Sequence, residues 1–557
     1  MSASPFLRCA LASVIVLTGG CERDPGAEST LPPTGRGANP EAVGAAPDQP
    51  EPVSPAEEVV EDAPTPAGLQ AFVERRARAL ARAPYRPRPT SLPGGLDELD
   101  YDSHRAIRFR PDAALWSSEG RFQVQLFHPG SLFTKPVRLH VVDDSVRALP
   151  FDPDLFRYEG PAAGVRERVA PVADRLGYAG FRVHFPLNDA DRMDEVAVFQ
   201  GASYFRLVGP GQVYGLSGRG LAIDVASDRP EEFPDFTEFW LVRPAPDADT
   251  LIVHALLESP SVTGAYRFAL VPGDRTELVV DARLFARTDV VKLGVAPLSS
   301  MFLYDANLAG AFDDFRPEVH DSDGLLMHTR SEEWIWRPLG NRRGLRVTSL
   351  RDVDPLGFGL AQRARDFDTY LDLEARYHLR PSAWVRVDSA DRWGPGGVEL
   401  LEIPTETEFN DNIAAYWVPD GPFLAGDARR YRYTVSTFEA RLPQQTLGQV
   451  VRTRVGSTSL PGAPAEDATR SRRFVIDFGG GPLEGLGPDA AVEVIAQTLA
   501  GSIDDVRAEP LPDGAGWRAS FRVRAGGDRP PDMRVYLASG GRPLTETWSY
   551  AWYPEHP

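Results

Sequence analysis

Trp517-Arg518-Ala519-Ser520-Phe521-Arg522-Val523 carries the periodicity that decides the fold. Apolar residues stand at 517, 519, 521 and 523 with polar ones between them, so an extended chain would bury one face and wet the other. The same period of two recurs in Phe122-Gln123-Val124-Gln125-Leu126, in Val137-Arg138-Leu139-His140-Val141 and around Arg386-Val387. Clusters of Gly, Pro and Asp separate these runs at short intervals, and long helical patterns are scarce. An all-β chain of sandwich or barrel type is expected. With 557 residues the chain exceeds one core, so two or more domains are expected. Composition shifts between Ser436 and Leu460, and the alternating strands beyond suit a small immunoglobulin-like sandwich. There is no repeat of solenoid or propeller period.

One stretch breaks this pattern. Leu69, Phe72, Val73 and Leu80 recur at helical spacing with arginines between them, which predicts a short amphipathic helix ended by Pro84. Its arginine face reads first as solvated and second as a contact for anionic lipid. The run Gly479-Gly480-Gly481-Pro482 has no helical pattern after it and reads as a turn.

The amino terminus is an export signal. Arg8 precedes the apolar run from Cys9 to Leu17, and Thr18-Gly19-Gly20-Cys21 follows, too short an apolar stretch to span a bilayer. Leu17-Thr18-Gly19-Gly20-Cys21 resembles a bacterial lipobox, with Thr18 where an aliphatic residue is usual. It implies a signal over 1–21 and a lipid on Cys21; plain cleavage beside an incidental cysteine is the alternative. Glu22, rather than Asp, favours the outer membrane. Residues 22–66 are rich in Pro, Glu, Ala and Gly and cannot bury enough apolar surface to offset their ordering entropy, so they read as a tether. Both cysteines lie in the first 21 residues, which excludes thiolate chemistry from a lipidated mature chain.

The 42% apolar and 25% charged content is that of a globular protein, and the net charge of −19 disfavours nucleic acid. A neutral sugar polymer is compatible with that charge; so is simple solubility. Phosphate-loop, His-Glu-x-x-His and Gly-x-Ser-x-Gly signatures are absent, and the nine histidines are scattered, so neither metal nor cofactor is expected. Between Glu332 and Trp417 the chain sets Trp334, Trp336, Tyr377, Trp384, Trp393 and Trp417 among many carboxylates. Rings stack on sugar faces and carboxylates bond hydroxyls, and glycoside cleavage needs two carboxyl groups. Residue types alone describe core aromatics and turn-capping aspartates equally well.

Longer motifs narrow the reading. Gly201-Ala202-Ser203-Tyr204-Phe205-Arg206, Tyr214 through Asp224, Glu232-Phe233-Pro234-Asp235-Phe236 and Gly264-Ala265-Tyr266-Arg267-Phe268 come in that order. Leu293 through Phe302, His320-Asp321-Ser322-Asp323, Glu333 through Leu339, Gly357-Phe358-Gly359-Leu360, Arg380-Pro381-Ser382-Ala383-Trp384 and Glu402-Ile403-Pro404-Thr405 follow. The set resembles the bacterial osmoregulated periplasmic glucan biosynthesis proteins G and D over roughly residues 67 to 555.

The resemblance implies a large galactose mutarotase-like β-sandwich over 67–438 and an immunoglobulin-like β-sandwich over 445–557. It implies a periplasmic protein acting on β-1,2-glucan as an inverting endo-glucanase or a transglycosylase. Glu408-Phe409-Asn410-Asp411-Asn412-Ile413 is similar to the family's acid motif, which makes Asp411 the general acid and Glu408 a substrate-binding or relay residue. Asp321, after His320, corresponds to the general base. Tyr377 and Arg380 fall at substrate-contacting positions; Trp334, Arg337 and His320, in the matched motifs, are further substrate-binding candidates. An inverting pair stands about 6.5–9.5 Å apart, or more where waters relay the proton. Asp411 should hold its proton near neutrality and Asp321 should stay ionised. The alternative is a non-enzymatic glucan-binding accessory that holds nascent chains beside a membrane synthase. A further reading makes the C-terminal sandwich a docking module, removable after about Gly448 without loss of glucan binding. The loop Asp305–Arg316 and the 420s are expected to shape the groove.

Overall fold

The computed structural model describes residues 65–458 and 470–554. The signal with Cys21, and the tether up to residue 64, lie outside the described residues. The rest is mostly strand, an all-β fold as the alternation predicts. Two large sheets pack face to face. The first runs in the order Gln123–Phe127, Gly180–Asp189, Arg192–Gln200, Tyr204–Leu207, Ser217–Arg219, Leu293–Ser300, Ile413–Pro419, Pro395–Glu402 and Arg346–Val353. The second includes Asp235–Val242, Leu251–Glu258, Val262–Val271, Glu277–Ala286 and Ala428–Phe438 side by side. Phenylalanines fill the space between them: Phe199 lies 5.8 Å from Phe239 and 5.3 Å from Phe268 of the opposite sheet. Rings meet tilted or edge-on, which suits their quadrupoles better than a flat sandwich.

The second sheet is buried on its other face too, because the helix Leu69–Arg82 lies on it. Leu69, Phe72, Val73 and Ala77 pack against Trp240, Leu256, Ala265 and Phe285. The arginine face is only partly given to solvent: Arg76 reaches the buried Glu238 at 3.1 Å and Arg78 sits over the Phe285 ring. The helix stops where Ala83 turns extended before Pro84.

Beyond residue 445 the chain forms the four-stranded sheet Gln449–Gly456, Ser471–Gly479, Trp517–Arg524 and Ser502–Pro510. Its inward residues Phe474, Ile476, Phe521 and Val523 cover the end of the second large sheet, which continues through Thr547–Ala551, Asp532–Ser539 and Glu493–Thr498. Continuity comes from parallel pairing of Ile335 with Thr547 and Trp336 with Trp548. Trp334, Trp336 and Trp384 therefore share one core with Phe474 and Trp548. At the turn after Ser471–Gly479, Gly480 and Gly481 take φ of 75° and 57°, and a Cβ on Gly481 would come within 2.6 Å of the Thr446 carbonyl.

Candidate active site

The two acidic motifs meet on either side of one chain segment. Residues 300–302 leave the strand Leu293–Ser300 and enter a short ribbon in which Phe302 pairs with His320. On one flank Ile413 pairs with Ser300, and the Asn412 N–H donates to the Ser300 carbonyl at 3.1 Å. The Asn412 side chain clamps Phe302, accepting from its N–H at 2.8 Å and donating to its carbonyl at 2.9 Å. On the other flank the Asp321 N–H donates to the Met301 carbonyl at 2.8 Å. Asp411 and Asp321 are thereby held across a single strand.

Their surroundings differ. Asp321 is only 3% exposed and forms an ion pair with Arg380. That guanidinium lies 4.3 Å over the Tyr377 ring and donates from Nε to the Ala375 carbonyl at 3.1 Å. The Tyr377 hydroxyl donates to Glu408 Oε2 at 2.9 Å. Arg316 then gathers three acids: Glu408 and Asp372, each at 2.8 Å, and Asp314 at 2.7 Å. Burial raises the Tyr377 phenol far above its ordinary value; Arg380 opposes, while Asp321 and Glu408 reinforce it.

Asp411 is half-buried, and its carboxyl is pushed up to about 6. Loss of solvent is the main cause; Arg206 opposes it most, and the negative charge of Asp321 adds to it. Arg206 is fixed by a 2.8 Å bond from Nε to Ser217, and Arg219 by Glu231 at 3.0 Å. Arg219 also lies over Tyr204 and Phe233.

The expected site residues divide into two groups. Asp321, Asp411, Glu408, Tyr377 and Arg380 come together. His320 stands behind them, fully buried, with Nδ1 on Gln362 at 2.8 Å and Nε2 on Glu318 at 2.9 Å. Burial opposes its charged form, but Glu318, Asp323 and Gln362 together outweigh that and raise its pKa. With both nitrogens engaged, His320 supports the segment carrying Asp321 and has no free donor for a ligand.

Trp334 and Arg337 are not brought to this cluster. Trp334 stacks on His328 at 4.0 Å, and Arg337 donates to Ser549 at 3.2 Å, both at the junction with the C-terminal strands. Arg206, Arg219, Arg316, Asp372, Gln362 and Asn412 escaped the sequence reading as site residues. Arg206, Arg219 and Asn412 stood inside quoted motifs. Arg316 and Asp372 lie in loops 56 positions apart with no pattern to link them. Among the described residues no group of three or more His, Cys, Asp or Glu is arranged to hold a metal ion.

Comparison with known proteins identifies the family. Residues 70–552 match the family described as "Periplasmic glucan biosynthesis protein, MdoG". Glucans biosynthesis protein G of Ralstonia nicotianae is 46% identical over 486 residues, covering 86% of this chain and 94% of the relative. Glucans biosynthesis protein D 1 of the same organism is 46% identical over 501 residues, covering 87% and 91%. Glucans biosynthesis protein G of Vibrio cholerae is 42% identical over 482 residues, covering 86% of each. With a family match over nearly all described residues and relatives aligned along almost their whole length, the chain belongs to the periplasmic glucan biosynthesis protein family of the MdoG type.

Proposed function

We propose that the protein cleaves or transfers β-1,2-glucan with inversion in the periplasm, with Asp411 as general acid and Asp321 as general base. One observation carries this: two carboxyl groups flank residues 300–302, one raised to about 6 and the other paired with Arg380. Strands lie about 4.8 Å apart, so backbones on either side of one strand stand roughly 10 Å apart. From backbones so spaced, the two side chains can converge to the about 6.5–9.5 Å between carboxyl groups that a sugar linkage and an attacking water require.

In the reaction Asp411 gives its proton to the glycosidic oxygen as the bond from that oxygen to the anomeric carbon breaks. Water attacks that carbon from the opposite face and loses a proton to Asp321. A glucan hydroxyl in place of the water would make the same step a transfer. Solvent then returns a proton to Asp411 and takes one from Asp321. Tyr377, Arg380 and Glu408 line the path with groups that bond hydroxyls, and the Arg380 ion pair fixes the orientation of Asp321.

Incubation with linear β-1,2-glucan, followed by chain-length analysis and proton NMR of new reducing ends, tests the reading. Shortening with inverted ends, lost in Asp411→Asn and Asp321→Asn, is expected. Binding without shortening, cyclisation or a new linkage at any pH would overturn catalysis and favour the accessory that only holds glucan. We also assign a lipid to Cys21, with the outer membrane as its site; metabolic labelling with palmitate should mark the wild type and spare Cys21→Ser.

A further inference from the structure

Three large apolar side chains stand in solvent beside the acidic cluster. Phe315 is 78% exposed, Leu373 81% and Phe409 66%. Each is the chain neighbour of a group in one ionic knot: Phe315 lies between Asp314 and Arg316, Leu373 follows Asp372 and Phe409 follows Glu408. The knot is tight. A single nitrogen of Arg316, Nη1, holds Asp372 and Glu408 at 2.8 Å each, while Nε and Nη2 hold Asp314. Three separate loops are thus drawn to one point. The loop bearing Phe315 is further fixed by Tyr304, whose ring stacks on Phe312 at 4.5 Å and whose hydroxyl donates to the Arg316 carbonyl at 3.2 Å.

Exposed large apolar residues scattered singly are ordinary, but a group beside a functional site points to a ligand. The charge beneath says what kind. Asp314, Asp372 and Glu408 set three carboxylates against one guanidinium, so the rim keeps an excess of negative charge and repels anionic lipid or a polyanion. A neutral polyhydroxyl chain suits both features: its hydroxyls donate to carboxylates, and the C–H faces of its rings pack on Phe and Leu. The knot is also continuous with the proposed site through Glu408, Tyr377, Arg380 and Asp321.

We propose that Phe315, Leu373 and Phe409 form an outer subsite of the glucan groove, on which pyranose rings of a long neutral chain rest beyond the two aspartates. The inference rests on the reading that the groove holds glucan, and not on whether it cuts. It makes the protein selective for chain length: a trisaccharide fills the centre alone, whereas a long chain also covers the rim.

The test is calorimetric titration of full-length protein carrying Asp411→Asn, so that neither probe is consumed, with long linear β-1,2-glucan and with its trisaccharide. Adding Phe315→Ser, Leu373→Ser and Phe409→Ser together should lower the ratio of long-chain to trisaccharide affinity about tenfold. Phe315→Tyr with Phe409→Tyr, which keep the rings, should hold the ratio at its starting value and separate stacking from a disturbed fold. An unchanged ratio in the triple serine variant overturns the rim while leaving the central site intact. Failure of both sugars to bind before the serines are added overturns the groove itself. Binding to vesicles of anionic phospholipid that disappears in the serine variant would assign the rim to a membrane and also overturn the proposal.

Discussion

As the proposed general acid, Asp411 would have to deliver a proton, and its surroundings decide whether one is there to give. An aspartate at its ordinary value is protonated roughly once in a thousand molecules at pH 7; one at about 6 is protonated roughly once in ten. The pH dependence follows with a definite sign. kcat/KM should fall about tenfold per pH unit above about 6, and a profile flat to pH 8 would rule out Asp411 as the acid. Asp411→Asn should lower kcat by about a thousandfold or more and leave glucan affinity within a few-fold, read by titration alongside kinetics.

Stability also falls with rising pH, but over a lower window. The folded chain holds this proton to higher pH than the unfolded chain does. The Asp411 contribution therefore declines as pH rises from about 4 to about 6, by up to about 2 kcal/mol for a half-buried group. The inactive Asp411→Asn variant should thus melt no lower than wild type at pH 7, and lower only near pH 4; a melting temperature reduced at pH 7 would contradict the assigned burial.

Among elements, the segments around 320–323 and 361–364 carry most of the burden. Gln362 donates to the carbonyls of His320 and Tyr377, at 3.1 and 3.0 Å, so one side chain joins the segment carrying Asp321 to the loop carrying Tyr377 and Arg380. The next residue, Arg363, donates its backbone N–H to Asp323 at 3.0 Å and lies 3.6 Å over Trp336. Its guanidinium grips Glu546 of the C-terminal strands, at 2.5 and 2.8 Å. Glu546 has no exposed surface and also accepts from Gln445 and from the Val450 N–H. Removing one partner leaves a buried charge uncompensated, so Glu546→Ala or Arg363→Ala should cost about 3–5 kcal/mol, read from urea midpoints. Deletion from residue 445 onward strips the cover from Trp334, Trp336 and Trp384 and should yield no soluble protein. Soluble protein that still binds glucan would restore the docking-module reading. The strands themselves were legible, since the apolar positions Trp517, Ala519, Phe521 and Val523 of the sequence alternation are all buried in the sheet, although Ser520 between them is buried too. Their pairing was not: Arg337 and Ser549 touch across 212 positions, and no local period reports a parallel contact at that range.

Across the whole molecule the site was legible in proportion to how local its signals are. Asp411 and Glu408 fall in one short motif, and Asp321 in another, so the family resemblance could name them as candidates. Composition alone could not distinguish them among the 79 acidic residues of the chain. The knot around Arg316 is assembled from three loops and has no sequence signature at all. What composition did supply is a constraint on the ligand. A chain with net charge −19, whose proposed groove would be rimmed by Asp314, Asp372 and Glu408, would meet a neutral polymer without long-range attraction or repulsion. Binding should then depend on hydroxyl bonds and ring packing, which salt screens little because the ligand carries no net charge to be screened, even as the Debye length falls from about 10 Å at 0.1 M to about 3 Å at 1 M. Glucan affinity should therefore change less than about twofold between those salt concentrations. A partner held by phosphates would lose orders of magnitude over a smaller range through counterion release. A steep salt dependence, measured by the same titration, would mean that charge rather than sugar hydroxyls governs what this groove holds.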